Sequence, residues 1–362
     1  MEPRGKPDAT ARAVAAPARC ALGLIAGMAG AALAWTFGLP IPFLLGALAA
    51  SAAAMLLKLP VAPAPFSRPG AQVVVGLSIG LHFTPDTFRV TAGLIPWTIL
   101  ASAVTIMVTS LGGLMLERFA HIDRKTAFFA TTAAGMAEMA VLASRAKAVS
   151  EIVAISHVIR VVTIVSIVPV LVVLFGVEGN MNSTPLVSHE SVPSLLLLLG
   201  AGLLAGALTP LKIPNGWFLV PAAVGGVAAA SGYGPFTLPT PLLVAAQVLL
   251  GIWLGCRFNR SILGRLPRVA LSSLVVTGFM IVAAIAFAGV LAPLTGLSFT
   301  TCLLAVAPAG ITEMTITATA MHLDVTAVTA FQIMRIAIVM TTVPVTLRLF
   351  EYVSRHFGGG VE

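Results

Sequence analysis

The chain has 362 residues, of which 58% are hydrophobic and only 9% are charged, against about 45–50% and about 25% in soluble domains. This composition excludes a water-soluble fold. Uninterrupted apolar runs such as 194–208 and 269–290 also exclude a membrane β-barrel, whose strands alternate apolar and polar residues. The net charge of +8 comes from Lys and Arg residues in short loops, where membrane orientation explains them better than nucleic-acid binding. The sequence therefore predicts an all-α polytopic membrane protein.

Proline, glycine and charged loops divide the chain into two sets of apolar runs. The first set lies near residues 20–38, 41–57, 69–83, 92–116, 126–144 and 152–177. The second set lies near residues 194–211, 216–231, 240–256, 268–291, 298–321 and 326–350. We interpret the run 20–38 as a retained span and not as a secretion signal, because the matching run of the second set has no processing role.

The two sets are copies of one unit. At a constant offset of 175 and without a gap, residues 72–175 align with residues 247–350, with 21 identities in 104 positions. Self-similarity over this length indicates an internal duplication. It predicts an N-terminal segment 1–19, a first repeat 20–177, a linker 178–194, a second repeat 195–352 and a C-terminal tail 353–362.

The distribution of Lys and Arg predicts how the repeats lie in the membrane. If all runs cross, one side carries 11 of these residues in its loops and the other carries 8, which is hardly a bias. If the runs 126–144 and 298–321 are instead re-entrant, or one arm of a broken helix, one side carries 18 and the other carries only Arg89. The positive-inside rule favours this second arrangement. It predicts about ten transmembrane helices, two re-entrant or broken helices, an inverted 5+5 internal repeat and two cytoplasmic termini.

Each of the two re-entrant runs carries a turn of small residues followed by Glu-Met. The residues concerned are Gly135, Glu138 and Met139 in the first repeat and Gly310, Glu313 and Met314 in the second. Glycine allows the helix to break, and irregular backbone at membrane depth is tolerated only inside protein or beside a water-filled cavity. Both copies therefore predict a polar cavity.

A basic residue follows each glutamate after 22 residues, Arg160 in the first repeat and Arg335 in the second. His157 and Gln332 precede these arginines by three residues and share their helix face. A charge at the centre of a membrane helix costs about 2.5–3.5 kcal/mol, so we expect the charges to pair within or between the repeats. Two interpretations remain open at this point. The Glu–Arg pairs either form a solute site near the bilayer midplane or only pin the re-entrant turns against their neighbouring helices.

The remaining small and reactive residues favour structural interpretations. Gly76 and Gly80, and their counterparts Gly251 and Gly255, have the spacing that lets helices approach closely. The three cysteines are far apart and provide neither a disulfide framework nor a metal-binding pair. We therefore predict helix packing at the glycines and no redox chemistry.

The duplicated Gly-x-x-Glu-Met block, followed by Arg160 and Pro169 or by Arg335 and Pro344, resembles the bacterial AbrB family of integral membrane proteins. Members of that family contain this domain twice, with Pro-Gly-Gly before Glu-Met, whereas this chain has Ala-Ala-Gly in one copy and Pro-Ala-Gly in the other. The resemblance implies a multi-pass protein of the bacterial inner membrane. Family members have been labelled both as ammonia monooxygenases and as regulators of gene expression.

Neither label follows from the residues. A metal oxygenase needs clustered His or carboxylate ligands, and a transcription factor needs a soluble basic reader, and the sequence contains neither. We therefore expect no enzyme activity, no cofactor, no metal and no direct contact with nucleic acid. The first hypothesis is a secondary transporter for a small anionic solute, held by the arginines and coupled to H⁺ or Na⁺ by the glutamates, working by alternating access of two inverted repeats. The alternative is a membrane sensor that influences gene expression indirectly. The expected partners are the solute and the lipid bilayer, and association into a homo-oligomer is left open.

Overall fold

The structure is a computed structural model that describes residues 16–83, 89, 91–176, 192–211, 213, 215–231, 238–258 and 266–357. Within these ranges the regular structure is entirely helical. The first half contains α1 (Ala16–Thr36), α2 (Pro42–Leu56), α3 (Ser67–Gly80), α4 (Ile95–Ala120), α5 (Arg124–Thr131), α6 (Met136–Arg145) and α7 (Ser150–Leu174). The second half contains α8 (Val192–Ala207), α9 (Gly216–Ala230), α10 (Thr240–Gly255), α11 (Pro267–Thr295), α12 (Phe299–Val306), α13 (Ile311–Ala320) and α14 (Val325–Phe357). A short 3₁₀ turn, Thr209–Leu211, follows α8.

The helix bounds repeat with the offset seen in the sequence. Helices α5 and α12, and likewise α6 and α13, begin and end at positions exchanged by a shift of 175 residues. Most of the linker predicted at 178–194 lies outside the described residues, as do residues 1–15 and 358–362. The last helix continues to Phe357, beyond the predicted start of the tail.

Length and hydropathy identify the chain as a multi-pass membrane protein. Five helical stretches of the described chain are long and apolar enough to cross a membrane: Ala16–Thr36, Ile95–Ala120, Ser150–Leu174, Pro267–Thr295 and Val325–Ser354. Four further apolar helices are shorter, with 10–17 residues each. Large apolar side chains such as Ile25, Leu203 and Val282 are exposed on the outer surface, which is typical of helices surrounded by lipid and not by water.

The run 126–144 forms a helical hairpin. Asp123 is the N-cap of α5, and its side chain accepts a hydrogen bond from the backbone N–H of Thr126. The turn 132–135 follows α5 and leads into α6. The backbone N–H of Val149, just before α7, donates to Oγ1 of Thr126 at 2.8 Å. The end of the hairpin therefore lies next to its beginning.

The two halves meet through glycines on crossing helices. A Cβ added to Gly76 or Gly80 on α3 would collide with the carbonyl oxygens of Phe218 and Ala222 on α9. Gly251 and Gly255 on α10 make equivalent contacts with the backbone of α2. The prediction that these glycines serve helix packing is confirmed, and the close approach joins each half to the other twice.

Helices α4 and α11 occupy equivalent places in the two halves and pack against each other in opposite directions. Nε of Arg268, at the start of α11, donates to the carbonyl oxygen of Phe119, near the end of α4, at 2.8 Å. Further along, Gly112 of α4 lies against Met280 of α11. From the first contact to the second, the position moves forward along α11 and backward along α4, so the two helices are antiparallel.

Candidate functional site

The arginine of the first repeat closes the end of a helix. Nη1 of Arg160 donates to the carbonyl oxygens of Thr131 at 2.7 Å and Thr132 at 3.1 Å, which belong to the last turn of α5 and lack partners within that helix. A cation at this position also offsets the partial negative charge at the helix C-terminus. Arg160 is the tenth residue beyond the start of α7, which places the hairpin tip roughly 15 Å along that helix.

His157 completes this arrangement one turn earlier on α7. Its Nε2 lies 2.9 Å from the carbonyl oxygen of Phe129, so it carries the proton and donates. Its Nδ1 then accepts from Nη2 of Arg160 at 3.1 Å. Both side chains are buried, and the hydrogen bonds identify His157 as a neutral imidazole.

The second repeat uses the same geometry with one substitution. Arg335 donates from Nη1 to the carbonyl oxygen of Ala307 at 2.7 Å and from Nη2 to that of Ala309 at 2.8 Å. Gln332 takes the place of His157, and its amide donates to the carbonyl oxygen of Leu304 at 2.9 Å. The arginines therefore bind the turns through backbone carbonyls in both halves.

The glutamates close the other arm of each hairpin. Glu138 and Glu313 are each the third residue of the returning helix, after Gly135 and Gly310 at the N-cap. Each carboxylate folds back so closely that a Cβ on its glycine would collide with Oε2. A carboxylate at this position compensates the unpaired N–H groups and the partial positive charge of a helix N-terminus. The Gly-x-x-Glu spacing thus places the carboxylate over the N-cap, where an added Cβ would displace it.

The predicted Glu–Arg pairing is wrong. Arg124 forms an ion pair with Glu117 at 3.2 Å, but neither arginine of the motif is joined to a carboxylate in the described part of the chain. Arg160 and Arg335 satisfy their terminal nitrogens with carbonyls and, for Arg160, with His157. The hairpin itself offers partners for both charges, because one of its helices ends and the other begins at the turn.

Both hairpin tips border one cavity with an empty volume of about 640 Å³. Its wall includes six of the residues identified from the sequence: Gly135, His157, Arg160, Gly310, Glu313 and Arg335. The sequence separates these two groups by 175 positions, and the fold brings them to the same space. The predicted polar cavity therefore exists, and it is shared by the two repeats.

The other four candidate residues lie elsewhere. Glu138 borders a separate cleft with Arg145 and Trp217. Met139 and Met314 are fully buried in apolar clusters, so they pack and do not face the cavity. Gln332 is also fully buried and acts on the carbonyls of the turn.

Sequence reasoning missed three residues at the cavity mouth. The guanidinium carbon of Arg68 lies 4.6 Å from the centroid of the Trp253 ring, and that of Arg257 lies 4.3 Å from it. All three side chains line the cavity. Burial, and secondly the positive charge of Arg68, lower the pKa of Arg257 from its ordinary value. From the sequence, Arg68 and Arg257 are interpreted as orientation signals in loops, and neither has an arginine or lysine at the equivalent position of the other repeat.

The cavity wall is strongly cationic. Four guanidinium groups and the N-termini of α6 and α13 face the single carboxylate of Glu313. Guanidinium groups and helix N-termini both favour carboxylate or phosphate ligands. Among the residues that the structure describes, no three His, Cys, Asp or Glu side chains lie close enough together to hold a metal ion. The cavity wall therefore carries more positive than negative charge.

Comparison with known proteins places this architecture in one family. The family model described as "Transition state regulatory protein AbrB" matches residues 43–351. The chain is similar to the Escherichia coli (strain K12) protein named "Putative regulator AbrB", with 26% identity over 291 residues that cover 78% of this chain and 82% of that protein. It is also similar to the Bacillus subtilis (strain 168) protein named "Uncharacterized protein YhjN", with 27% identity over 268 residues, 69% of each chain.

Proposed function

This chain belongs to the AbrB family, and from that premise we propose that it is a secondary transporter for a small anionic solute, coupled to H⁺ or Na⁺. The observation that carries the proposal is the cavity between the two hairpin tips, with four arginines around one carboxylate. Helix ends that meet at membrane depth around a charged cavity are typical of secondary transporters. The arginines of the hairpins keep the tips in place, and the cavity provides the space for the solute.

The proposed topology is an inverted repeat with about ten crossings. If all runs crossed, Arg68 and Arg257 would lie on opposite faces of the membrane, yet both contact the ring of Trp253. The same argument applies to Arg268, whose Nη2 lies 3.3 Å from Nε2 of His121. These contacts support the arrangement in which equivalent segments of the two halves face opposite sides. Since the positive-inside rule assigns Arg68 and Arg257 to the cytoplasm, the cavity opens toward that side of the inner membrane in this conformation.

The proposed coupling group is Glu313. Its carboxylate lies over Gly310 at the N-terminus of α13 and therefore occupies a position that also suits the acidic group of a solute. Protonation would remove this internal anion and free the helix N-terminus. Of the two coupling ions, H⁺ fits better, because the partial positive charge of the helix end and the surrounding arginines oppose a bound Na⁺. Glu138 would act in the same way when the two halves exchange roles.

The test uses the full chain in proteoliposomes, with counterflow of radiolabelled succinate, glutarate, their half-amides succinamate and glutaramate, and inorganic phosphate. We expect at least one of these anions to move, and an imposed inward H⁺ gradient to accelerate its uptake. Glu313→Gln should abolish the acceleration while the melting temperature in detergent stays within a few degrees. Glu151→Gln removes an exposed carboxylate at the start of α7 and should leave uptake unchanged. Equal acceleration in Glu313→Gln and the wild type would refute the coupling role.

A second candidate function is a membrane sensor that acts on gene expression through another protein. The names of related proteins favour it, because the matching family model is described as a regulatory protein and the similar Escherichia coli protein is named "Putative regulator AbrB". The same cavity would then bind an anion without releasing it on the other side. Thermal stabilisation by one of the anions without any counterflow would favour the sensor over the transporter. If no anion either stabilises the protein or moves, both candidates are wrong.

A further inference from the structure

The four arginines of the cavity lie at two depths. Arg160 and Arg335 are each only 3% exposed, and they sit beside the hairpin tips. Arg68 is half-buried and Arg257 is exposed, so this pair stands at the mouth. With Glu313 as the carboxylate in the wall and His157 neutral, the cavity has a surplus of three positive charges. A single monovalent anion would leave most of this charge uncompensated.

The deep level, formed by Arg160 and Arg335, has hydrogen-bond donors without an acceptor. Nε of Arg160 and Nε of Arg335 are buried and have no hydrogen-bond partner, although the terminal nitrogens of both side chains are bound to carbonyls. Buried polar groups in native proteins are almost always paired, and an unpaired charged donor is costly. The N-termini of α6 and α13 border the same space. One acidic group placed there would lie beside the two guanidinium groups, and it would compete with Glu138 and Glu313 for the two helix ends.

The mouth provides a second, separate set of donors. Trp253 holds Arg68 and Arg257 through contacts of the guanidinium carbons with its ring, at 4.6 and 4.3 Å, which fix the cations without using their N–H groups as donors. Two like charges around one ring repel each other, and the lowered pKa of Arg257 has this repulsion as its second cause. An acidic group between the two guanidiniums would convert the repulsion into a pair of charge-assisted hydrogen bonds.

We propose that the solute is a small organic dianion with two separated acidic groups, one bound between Arg160 and Arg335 and the other between Arg68 and Arg257. This inference rests on the proposed function and specifies its substrate class. One cavity reaches both levels, since its wall includes all four arginines. A compact dianion such as inorganic phosphate satisfies one level and leaves the other empty.

The test compares each dicarboxylate with the half-amide that has nearly the same shape but one charge less. Binding to the full chain in detergent is measured calorimetrically for succinate, succinamate, glutarate, glutaramate and inorganic phosphate. We expect at least one dicarboxylate to bind about tenfold or more tightly than its half-amide, since a hydrogen bond between charged groups is lost. Phosphate should bind more weakly than that dicarboxylate.

Variants of the two mouth arginines test whether the tighter binding of the dicarboxylate depends on Arg68 and Arg257. Arg257→Gln and Arg68→Gln should each abolish the preference for the dicarboxylate while affinity for the half-amide changes by less than about threefold, because only the outer acidic group loses its partner. Arg348→Gln removes an exposed arginine of α14 that does not line the cavity, and it should keep the preference. Since Arg257 is exposed, its replacement leaves the buried packing intact.

The outcomes separate this inference from the proposed function. If half-amides bind and move as well as dicarboxylates, or if phosphate binds as tightly, anion transport stands and the two-site dianion is refuted. If Arg257→Gln and Arg68→Gln retain the full preference, the mouth is not the second site. If none of these anions binds or moves, the proposed function fails together with this inference.

Discussion

At the scale of residues, the glutamate and the arginine of each duplicated motif stabilise different ends of the helix break. A hairpin that turns at membrane depth creates a helix C-terminus with free carbonyls and a helix N-terminus with free N–H groups, neither of which lipid can satisfy. Arg160 takes the carbonyls of the first turn, and Glu138 folds over the N-terminus that follows it. Acid and base are therefore both needed, but for opposite ends of the break and not for each other.

This division predicts the effect of adding one methyl group. Gly310 has an ordinary φ of −72°, so Gly310→Ala strains no backbone and acts only by displacing the carboxylate of Glu313. We expect a loss of about 0.5–2 kcal/mol of stability, the usual value of a lost N-terminal cap, measured by thermal unfolding in detergent. Gly278→Ala, where nothing lies within 4 Å of the added Cβ, should be neutral or stabilising by up to about 1 kcal/mol.

A double-mutant cycle gives the decisive comparison for Gly310. In a Glu313→Ala background the carboxylate is absent, so Gly310→Ala should cost nothing further. An equal cost in both backgrounds would contradict the capping interpretation and point to an unrelated steric conflict at the tip.

At the scale of elements, the halves are joined by helices that touch backbone to backbone. Each crossing helix, α3 or α10, presents a pair of glycines to a short apolar helix of the other half. In lipid, where burial of apolar surface adds little, close packing of this kind is a main source of helix association. The four glycines therefore hold the two repeats around the cavity.

A larger residue at one of these glycines should weaken the contact between the two halves. A Cβ at Gly255 would strike the carbonyl oxygen of Leu48, and backbone cannot yield as a flexible side chain does. We expect Gly255→Ala to lower stability by about 1–3 kcal/mol, the usual cost of overpacking, in a thermal unfolding experiment. Gly200→Ala on α8 has open space around the added atom and is the control. Equal melting temperatures for the two variants would show that the crossing is not tightly packed in the membrane protein.

At the scale of the whole molecule, the sequence predicts the structural features that occur in both repeats and misses those that occur in only one. The self-alignment locates the hairpins, their turns, both arginines and the crossing glycines, because each feature occurs twice at one offset. Arg68, Trp253 and Arg257 escape it, because their equivalents are Leu243, Ser78 and His82. The mouth of the cavity forms from residues that are far apart in the sequence, and it has no counterpart at the equivalent positions of the other repeat. The Glu–Arg pairing fails for a related reason, since a residue list does not show backbone groups competing for the same charges.

The proposed inverted arrangement predicts that equivalent turns of the two repeats lie on opposite faces of the membrane. Lys147 follows α6 and its equivalent His322 follows α13, and both adopt a left-handed turn, with φ of 62° and 54°. In a chain with Cys20, Cys256 and Cys302 replaced by serine, Lys147→Cys should react with a membrane-impermeant maleimide only from the cytoplasm, and His322→Cys only from the periplasm. Lys125→Cys should follow Lys147→Cys, since the hairpin returns to the side that it entered. Labelling of Lys147→Cys and His322→Cys from one face would mean that the repeats are parallel, and the two hairpin tips would then reach the cavity from the same side.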